Sequence, residues 1–472
     1  MKRFLLLFLV IILLVSSAAC QSNTLPPIDE LEPMQPPERT EVAYEFNAKL
    51  YYIMKDSGEL SHEIHEVQIY NDEPVLITIM NKLLEKPKYD YHRNPIDSSY
   101  KLADIEVSEG VANVFFEGDT FNSNSYYDMK QYIETQAVIL ATLEPFGVNA
   151  VNVYINGVAP SYKSCPVGFA VKPADTLSKH ISDTIDAYTD FSSLSEESPF
   201  TANCVIYVKD KSGYFLANKQ HIVIKNEASN EELVRAILGR FLKLYNGVVS
   251  PEFTFTSIES NRHLGKYNIS VTVEGNISDD SVLETLRAGI ALTLTGYIPD
   301  LHYVTVIYEN SSVAIQRKDY AKKIGGTVKV YYPYLLQDVL SVRNITISKG
   351  LACCTIKEFI EIYFASSGAN YSIFTGMKEE YILDIYVNNG IAVLDLDKTF
   401  YEGLSKYINN ENSIVDGNVS ERLIIYGIVN SLTEVYYIDS VLFLCNGENI
   451  KTLKNVYLGA PLYKNIGLIY GA

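Results

Sequence analysis

His62-Glu-Ile-His65-Glu66 is the nearest approach to a metal cluster in this chain of 472 residues. A helical H-E-x-x-H zinc motif sets its histidines four apart, so that both imidazoles face one ion. Here they are three apart, in a segment that leads into a strand, and the expected account is a solvated polar edge with no metal. Asp395-Leu-Asp397 puts two carboxylates on one face of a strand. Carboxylates about 5–10 Å apart are what glycosidase chemistry needs, and this spacing permits it. The stretch that matches it earlier in the chain, residues 113–116, holds no such pair, which favours solvated acids at a strand end. No G-x-S-x-G elbow, P-loop or S-x-x-K tetrad appears. The expectation is a protein that is not an enzyme and uses no cofactor.

Tyrosine is abundant, with 36 residues against no tryptophan, and it comes in pairs: Tyr51-Tyr52, Tyr126-Tyr127, Tyr331-Tyr332 and Tyr436-Tyr437. Tyrosine at an exposed edge suits contact with carbohydrate or protein, and on a strand one of each pair faces in and the other out. Tyr52, Tyr127, Tyr332 and Tyr437 are the candidate interaction surface; the competing account is core packing with a ring of tyrosines outside it. Apart from Cys20, the cysteines are Cys165, Cys204, Cys353, Cys354 and Cys445. Their number is odd, none has a C-x₂-C spacing, and adjacent Cys353 and Cys354 cannot bridge without strain. Buried free thiols are expected, and Cys165 and Cys445 have no histidine nearby in sequence.

Cys20 is the cysteine with a chemistry of its own. Lys2 and Arg3 precede an apolar run over residues 4–15, and Ser16, Ser17, Ala18 and Ala19 lead up to Cys20. Charge, apolar core and small residues in that order mark residues 1–19 as a signal peptide; a transmembrane helix needs about 20 apolar residues. The ending Ser17-Ala-Ala-Cys20 resembles the bacterial lipobox, whose cysteine is diacylated, although Ser17 stands where leucine is usual. Gln21 is not the aspartate that favours inner-membrane retention in two-membrane bacteria. Two acyl chains, at about 0.8 kcal/mol per buried CH₂, anchor where one binds reversibly. The expected location is the extracytoplasmic face of the cell membrane, held by lipid on Cys20; secretion with Cys20 free is the alternative. Residues 20–43 carry Pro26, Pro27, Pro33, Pro36 and Pro37 and read as an extended tether, rising about 3.1 Å per residue.

The net charge of −18 argues against nucleic acid and against anionic wall polymers or head groups. Apolar residues, at 47%, are enough to build real cores.

The elements that would position these residues repeat. A strand at residues 111–116 is followed by a helix face of Ile133, Ala137 and Leu140, then by Val151-Asn-Val-Tyr-Ile155, which stops at Asn156-Gly157. The strand at 391–396, the helix face Ile424, Ile428 and Leu432, and Val441-Leu-Phe-Leu-Cys445 before Asn446-Gly447 repeat the unit. Residues 269–273, then Leu283, Leu286, Ile290 and Leu294, then 304–308 form a looser middle copy. The helices end alike, in Ala141-Thr-Leu143, Leu292-Thr-Leu294 and Asn430-Ser-Leu432. Upstream, each copy opens with strands at 48–53 and 66–70, at 204–208 and 221–225, or at 328–332 and 342–347. A helix follows at 74–84, 231–244 or 356–364, and then a strand at 101–107, 253–258 or 381–387. The order is ββαββαβ, which predicts an α+β chain of three small sandwich modules, each with two helices on one face of a mixed sheet. The modules are expected at 44–171, 200–316 (divergent) and 327–472, with linkers at 172–199 and 317–326.

Residues 111–116 with Asp119 and Phe121, residues 139–143 running into Glu144-Pro145-Phe146-Gly147-Val148, and the stop at Asn156-Gly157 carry a resemblance. So do residues 391–396, Thr399-Phe400, 429–434, 438–441, Asn446-Gly447 and Gly459-Ala-Pro-Leu462. They resemble the sporulation and germination module called GerMN. The middle copy lacks the acidic residue after its strand, and a third copy departs from the two expected of the family. The resemblance implies a fold like that of ring-building motifs, an exported lipoprotein, and no catalytic residues. The function expected is a non-catalytic scaffold in sporulation or germination. Its partners would be other envelope or sporulation proteins or a second copy of itself, with no nucleic acid. A peptidoglycan-binding or wall-remodelling protein is the alternative, and a small-ligand-binding lipoprotein a further one.

Overall fold

A computed structural model describes residues 32–471, apart from 120, 122–124, 163–164, 190–199, 225–227, 246–252, 264–265, 278, 299, 335–336, 367–380, 400, 403–420 and 454–455. The signal peptide, Cys20 and residues 21–31 lie outside the described residues. No helix among the described residues is long and apolar enough to cross a membrane.

The chain is α+β, and one order of elements recurs three times. It begins with an antiparallel hairpin, β1 (Val42–Met54) and β2 (Leu60–Tyr70), and helix α1 (Val75–Leu84). Strands β3 (Lys101–Ser108) and β4 (Val111–Glu117) pair antiparallel; helix α2 (Tyr126–Leu143) then crosses over to β5 (Ala150–Ile155), which lies parallel to β4. A parallel pair requires such a crossover. Helix α3 (Leu177–Thr189) leads to the second round: β6 (Phe200–Lys209), β7 (Phe215–Ile224), α4 (Asn230–Tyr245), β8 (Phe253–His263), β9 (Lys266–Gly275), α5 (Asp280–Thr295), β10 (Leu301–Tyr308) and β11 (Ser311–Ile315). The third is β12 (Gly325–Tyr334), β13 (Val339–Ser348), α6 (Ile356–Ala365), β14 (Ile382–Asn388), β15 (Ile391–Leu396), α7 (Glu421–Leu432) and β16 (Ser440–Cys445). In each round the hairpin is separate from a mixed sheet whose neighbours pair antiparallel, parallel, antiparallel.

The repeat extends to single atoms. Thr142, Thr293 and Ser431, the hydroxyls of the three similar helix ends, accept from the backbone N–H of Tyr51 (3.1 Å), Tyr207 (3.1 Å) and Tyr331 (2.9 Å) and so tie each crossover helix to its hairpin. The Tyr245 and Tyr363 hydroxyls donate to the carbonyls of Tyr207 (2.9 Å) and Tyr331 (3.1 Å). Asn156 and Asn446 both take φ 51°, which asparagine tolerates, and each Oδ1 accepts a backbone N–H from Gly118 or Lys398 across the turn.

Two stretches differ from the sequence expectation. The hairpin strands are longer: β2 starts at Leu60 instead of 66, because Glu63 and His65 face inward in place of apolar residues. Residues 172–199 contain α3, whose Leu177, Ile181, Ile185 and Tyr188 are buried at helical spacing while its Ser and Asp residues face water.

The largest core is shared. Buried residues of the first round (Leu50, Val114, Ile139) and of the third (Val330, Leu394, Ile428) belong to one cluster, while the second round builds its own around Ile206, Phe241, Val271 and Leu286.

Candidate interaction surfaces

Glu63 lies inside the first hairpin, fully buried. Its carboxylate accepts from His65 Nε2 (2.8 Å), His92 Nδ1 (2.8 Å), Lys88 N (2.8 Å) and Tyr89 N (3.0 Å). Burial alone would raise its pKa; the hydrogen bonds from His92, Lys88, Tyr89 and His65 more than offset this and hold it at about 2. The expected solvated edge is therefore corrected: His62 faces water, but His65 is buried. Four donors on one carboxylate make a structural knot that pins the 88–92 loop to the hairpin. No group of three or more His, Cys, Asp or Glu among the described residues is placed to hold a metal ion.

Asp395 is half-buried, and its Oδ1 accepts from Gly447 N (2.9 Å); burial raises its pKa. Asp397 lies just past β15, where its Oδ1 accepts from Thr399 N (2.7 Å). Both acids secure local backbone. Cys204, Cys353, Cys354 and Cys445 are unbridged. Burial pushes the Cys204 and Cys354 thiols up to about 12, away from the thiolate that reacts.

The tyrosine pairs divide differently from the expectation. Tyr52, Tyr332 and Tyr437 are core residues, buried against the shared cluster; strand alternation turns Tyr51 toward water, and Tyr436, in the turn after α7, is exposed. Tyr127 alone of the four candidates is exposed, at 80%, with its ring edge-on to that of Tyr126. Sequence reasoning passed over Tyr89 and Tyr91, whose exposed rings stack at 5.2 Å.

The built interfaces lie on the outer faces of the sheets. On the first sheet, Asp104, Glu106 and Ser108 of β3 point outward beside Asn113 and Phe115. The second hairpin lies over them: Ser108 Oγ accepts from Ala217 N (2.9 Å), and Asn113 Nδ2 donates to Tyr207 Oη (2.7 Å). Arg317, from the stretch expected to be a linker, closes the contact. It donates to Glu106 (3.2 Å), Tyr207 Oη (2.9 Å) and the Leu292 carbonyl (3.1 Å), and its guanidinium lies 5.1–5.7 Å from the ring centres of Tyr207, Phe115 and Tyr154. Burial pushes the Glu106 pKa up, and the Arg317 charge draws it part of the way back. Lys349 pairs with Asp104 at 2.7 Å. No sequence signal marked this node, because a lone arginine in a polar stretch reads as solvated.

On the third sheet the outward residues of β14 are Asp384, Tyr386 and Asn388. All three are held by residues 37–39, the end of the expected tether. Arg39 pairs with Asp384 and lies over the Tyr386 ring, the Tyr386 hydroxyl donates to the Pro37 carbonyl (3.0 Å), and Asn388 donates to the Glu38 carbonyl. Further back, the Met34 N–H donates to the Gly459 carbonyl, and the Tyr457 hydroxyl donates to the Glu32 carbonyl (2.7 Å). Residues 32–39 are thus a strap bound to the third sheet and to residues 457–459.

Residues 372–451 match the model of the Germane family, described as sporulation and spore germination. Two solved structures are similar to the chain. One is the tandem GerMN domains of the sporulation protein GerM from Bacillus subtilis, at 13% identity over 58% of this chain and 94% of that one, with a TM-score of 0.20. The other is a candidate lipoprotein from Clostridium perfringens, at 15% identity over 29% of this chain and 93% of that one, with a TM-score of 0.18. No curated protein matches in sequence. The resemblance read from residues 391–396, 429–434 and Asn446-Gly447 is upheld: the matched stretch runs from before β14 to beyond β16.

Proposed function

We propose, from the premise that this chain carries a GerM-like module of the sporulation and germination family at residues 372–451, that it is a lipid-anchored extracytoplasmic scaffold without catalysis of its own. The family match is the observation that carries this reading. Three features support it. The leader before Cys20 has the order of an export signal with a lipid-accepting cysteine. The groups best suited to chemistry are engaged in structure: Glu63 with two histidines and two backbone amides, Arg317 with Glu106, Asp395 with the Gly447 turn. Interlocked modules offer extended surfaces for other envelope proteins.

Photo-crosslinking from Tyr127 in sporulating cells, followed by identification of what is captured, tests the scaffold. Specific envelope or sporulation proteins are expected, and capture of nothing above background at any surface position contradicts it. Mass spectrometry of the mature N-terminus tests the anchor: diacylglyceryl on Cys20 is expected, and an unmodified Cys20 removes it.

The exposed Tyr89–Tyr91 stack favours a second reading, peptidoglycan binding, since a pair of tyrosine faces suits sugar rings. Sedimentation of the protein with purified peptidoglycan, weakened by Tyr91→Ala, would support it; no co-sedimentation removes it.

A further inference from the structure

The outer faces of the first and third sheets correspond row by row. Ser108, Val111 and Ala150 form one row of the first, and Glu106, Asn113 and Asn152 the next. Asn388, Ile391 and Ser440, then Tyr386, Val393 and Leu442, are their counterparts in the third. The first face receives the second hairpin through Ser108, Glu106 and Asp104. The third face meets the strap through the matching Asn388, Tyr386 and Asp384. The third face is the more apolar: Ile391, Val393, Leu442 and Leu444 stand where the first has Val111, Asn113, Asn152 and Tyr154. The strap is bonded to this sheet at β14, and further back to the Gly459 carbonyl and the Tyr457 hydroxyl in the chain that follows β16.

The element that would fit such a face is also present, and part of it is exposed: on the third hairpin Tyr331 and Leu340 are covered by Leu423 and Leu468 of this chain, while Val342 is open to solvent. On the second hairpin the docking side carries Tyr207, Phe215 and Ala217, with Phe215 bridged to Ile324 of the returning chain. The third hairpin repeats this with Tyr331, Leu340 and Val342, and Leu340 is bridged to Ile469. Lys464 lies over the Tyr331 ring as Arg317 lies over Tyr207. Ala217 is 2% exposed beneath the first sheet, whereas Val342 is 42% exposed, with Ile466 and Tyr470 bare nearby.

We infer that the outer face of the third sheet is a docking face for the third hairpin of a second copy of this chain, and that the strap of residues 32–39 is a latch that keeps it covered. The inference rests on the scaffold reading and names its partner. The latch is displaceable by construction. Its bonds to the third sheet are one ion pair between exposed side chains and two to backbone carbonyls, made by a segment with no secondary structure.

Sedimentation equilibrium on residues 21–472, which lack the leader and Cys20, tests this with three forms. They are the native sequence, a latch-locked form with a disulfide from Arg39→Cys and Asp384→Cys, and a latch-free form with residues 32–39 replaced by a Gly-Ser stretch of equal length. Self-association of the latch-free form is expected at concentrations at least ten-fold below those of the locked form. Val342→Glu, a surface change, should return the latch-free form to monomer. A latch-free form that stays monomeric, while hydrogen exchange shows β14 and β15 newly exposed, overturns the proposal. So does association that Val342→Glu leaves unchanged, because the hairpin is then not the occupant. Neither result touches the scaffold reading, which the in-cell crosslinking tests; conversely, absence of captured proteins with this pattern intact would remove that reading and keep the interface.

Discussion

Glu63 and Arg317 show how buried charge holds this molecule at single residues. The Glu63 pKa in the folded chain, about 2, lies below its unfolded value of about 4.3. Its contribution to stability is therefore complete above about pH 4.3 and is lost as the pH falls toward 2. Glu63→Gln should cost roughly 2–3 kcal/mol at pH 7 and flatten the decline in stability between pH 4.5 and 2.5, read by urea unfolding across that range; parallel curves for the two proteins would contradict the assignment. Arg317→Met leaves Glu106 buried without its cation and should cost about 3–5 kcal/mol. Adding Glu106→Gln should restore much of that, which denaturant titration of the single and double variants measures. At this scale the sequence was least legible. Glu63 and His65 stand two apart, as one face of a strand requires, but polar residues at inward positions hide the alternation. His92 lies 29 residues from Glu63, and Arg317 reaches a partner 211 residues away; no local pattern encodes such pairs.

Elements were more legible, because apolar periodicity is local. Each crossover helix and the first three strands of each mixed sheet were readable from spacing, whereas the fourth, antiparallel strand, such as β11, was not; the similar helix ends proved to be the hydroxyls that tie helix to hairpin. Replacing Thr142, Thr293 or Ser431 by valine should cost about 1 kcal/mol each, and equal effects in thermal unfolding would show the three bonds to be one repeated device. Gly289→Ala is a harsher test: its Cβ would fall inside contact distance of Tyr245 Oη, and a loss of about 1–3 kcal/mol is expected from overpacking. The α3 helix was missed because the Ser and Asp of its solvent face outweighed Leu177, Ile181 and Ile185 in a reading by composition. The tether was misjudged at its end for a related reason: proline and charge look solvated, and only the third sheet shows what Arg39 is for.

The whole molecule is more integrated than three beads on a chain. Because the first and third rounds share one core, a fragment ending at residue 316 should expose apolar surface, bind a hydrophobic dye and lose a sharp melting transition; a fragment that melts as the full chain does would contradict the shared core. Sequence could not reveal this, since repeats announce themselves one at a time and their mutual packing is long-range. The same integration shapes the proposed function, in which a lipid on Cys20 would hold an interlocked body with its binding faces at the membrane. Deleting the gene in the organism that carries it, and following spore formation and germination there, tests that account most directly. The account predicts fewer heat-resistant spores or slower germination, restored by the full chain and not by a Cys20→Ala form. Normal spore yield, resistance and germination under several conditions would contradict it.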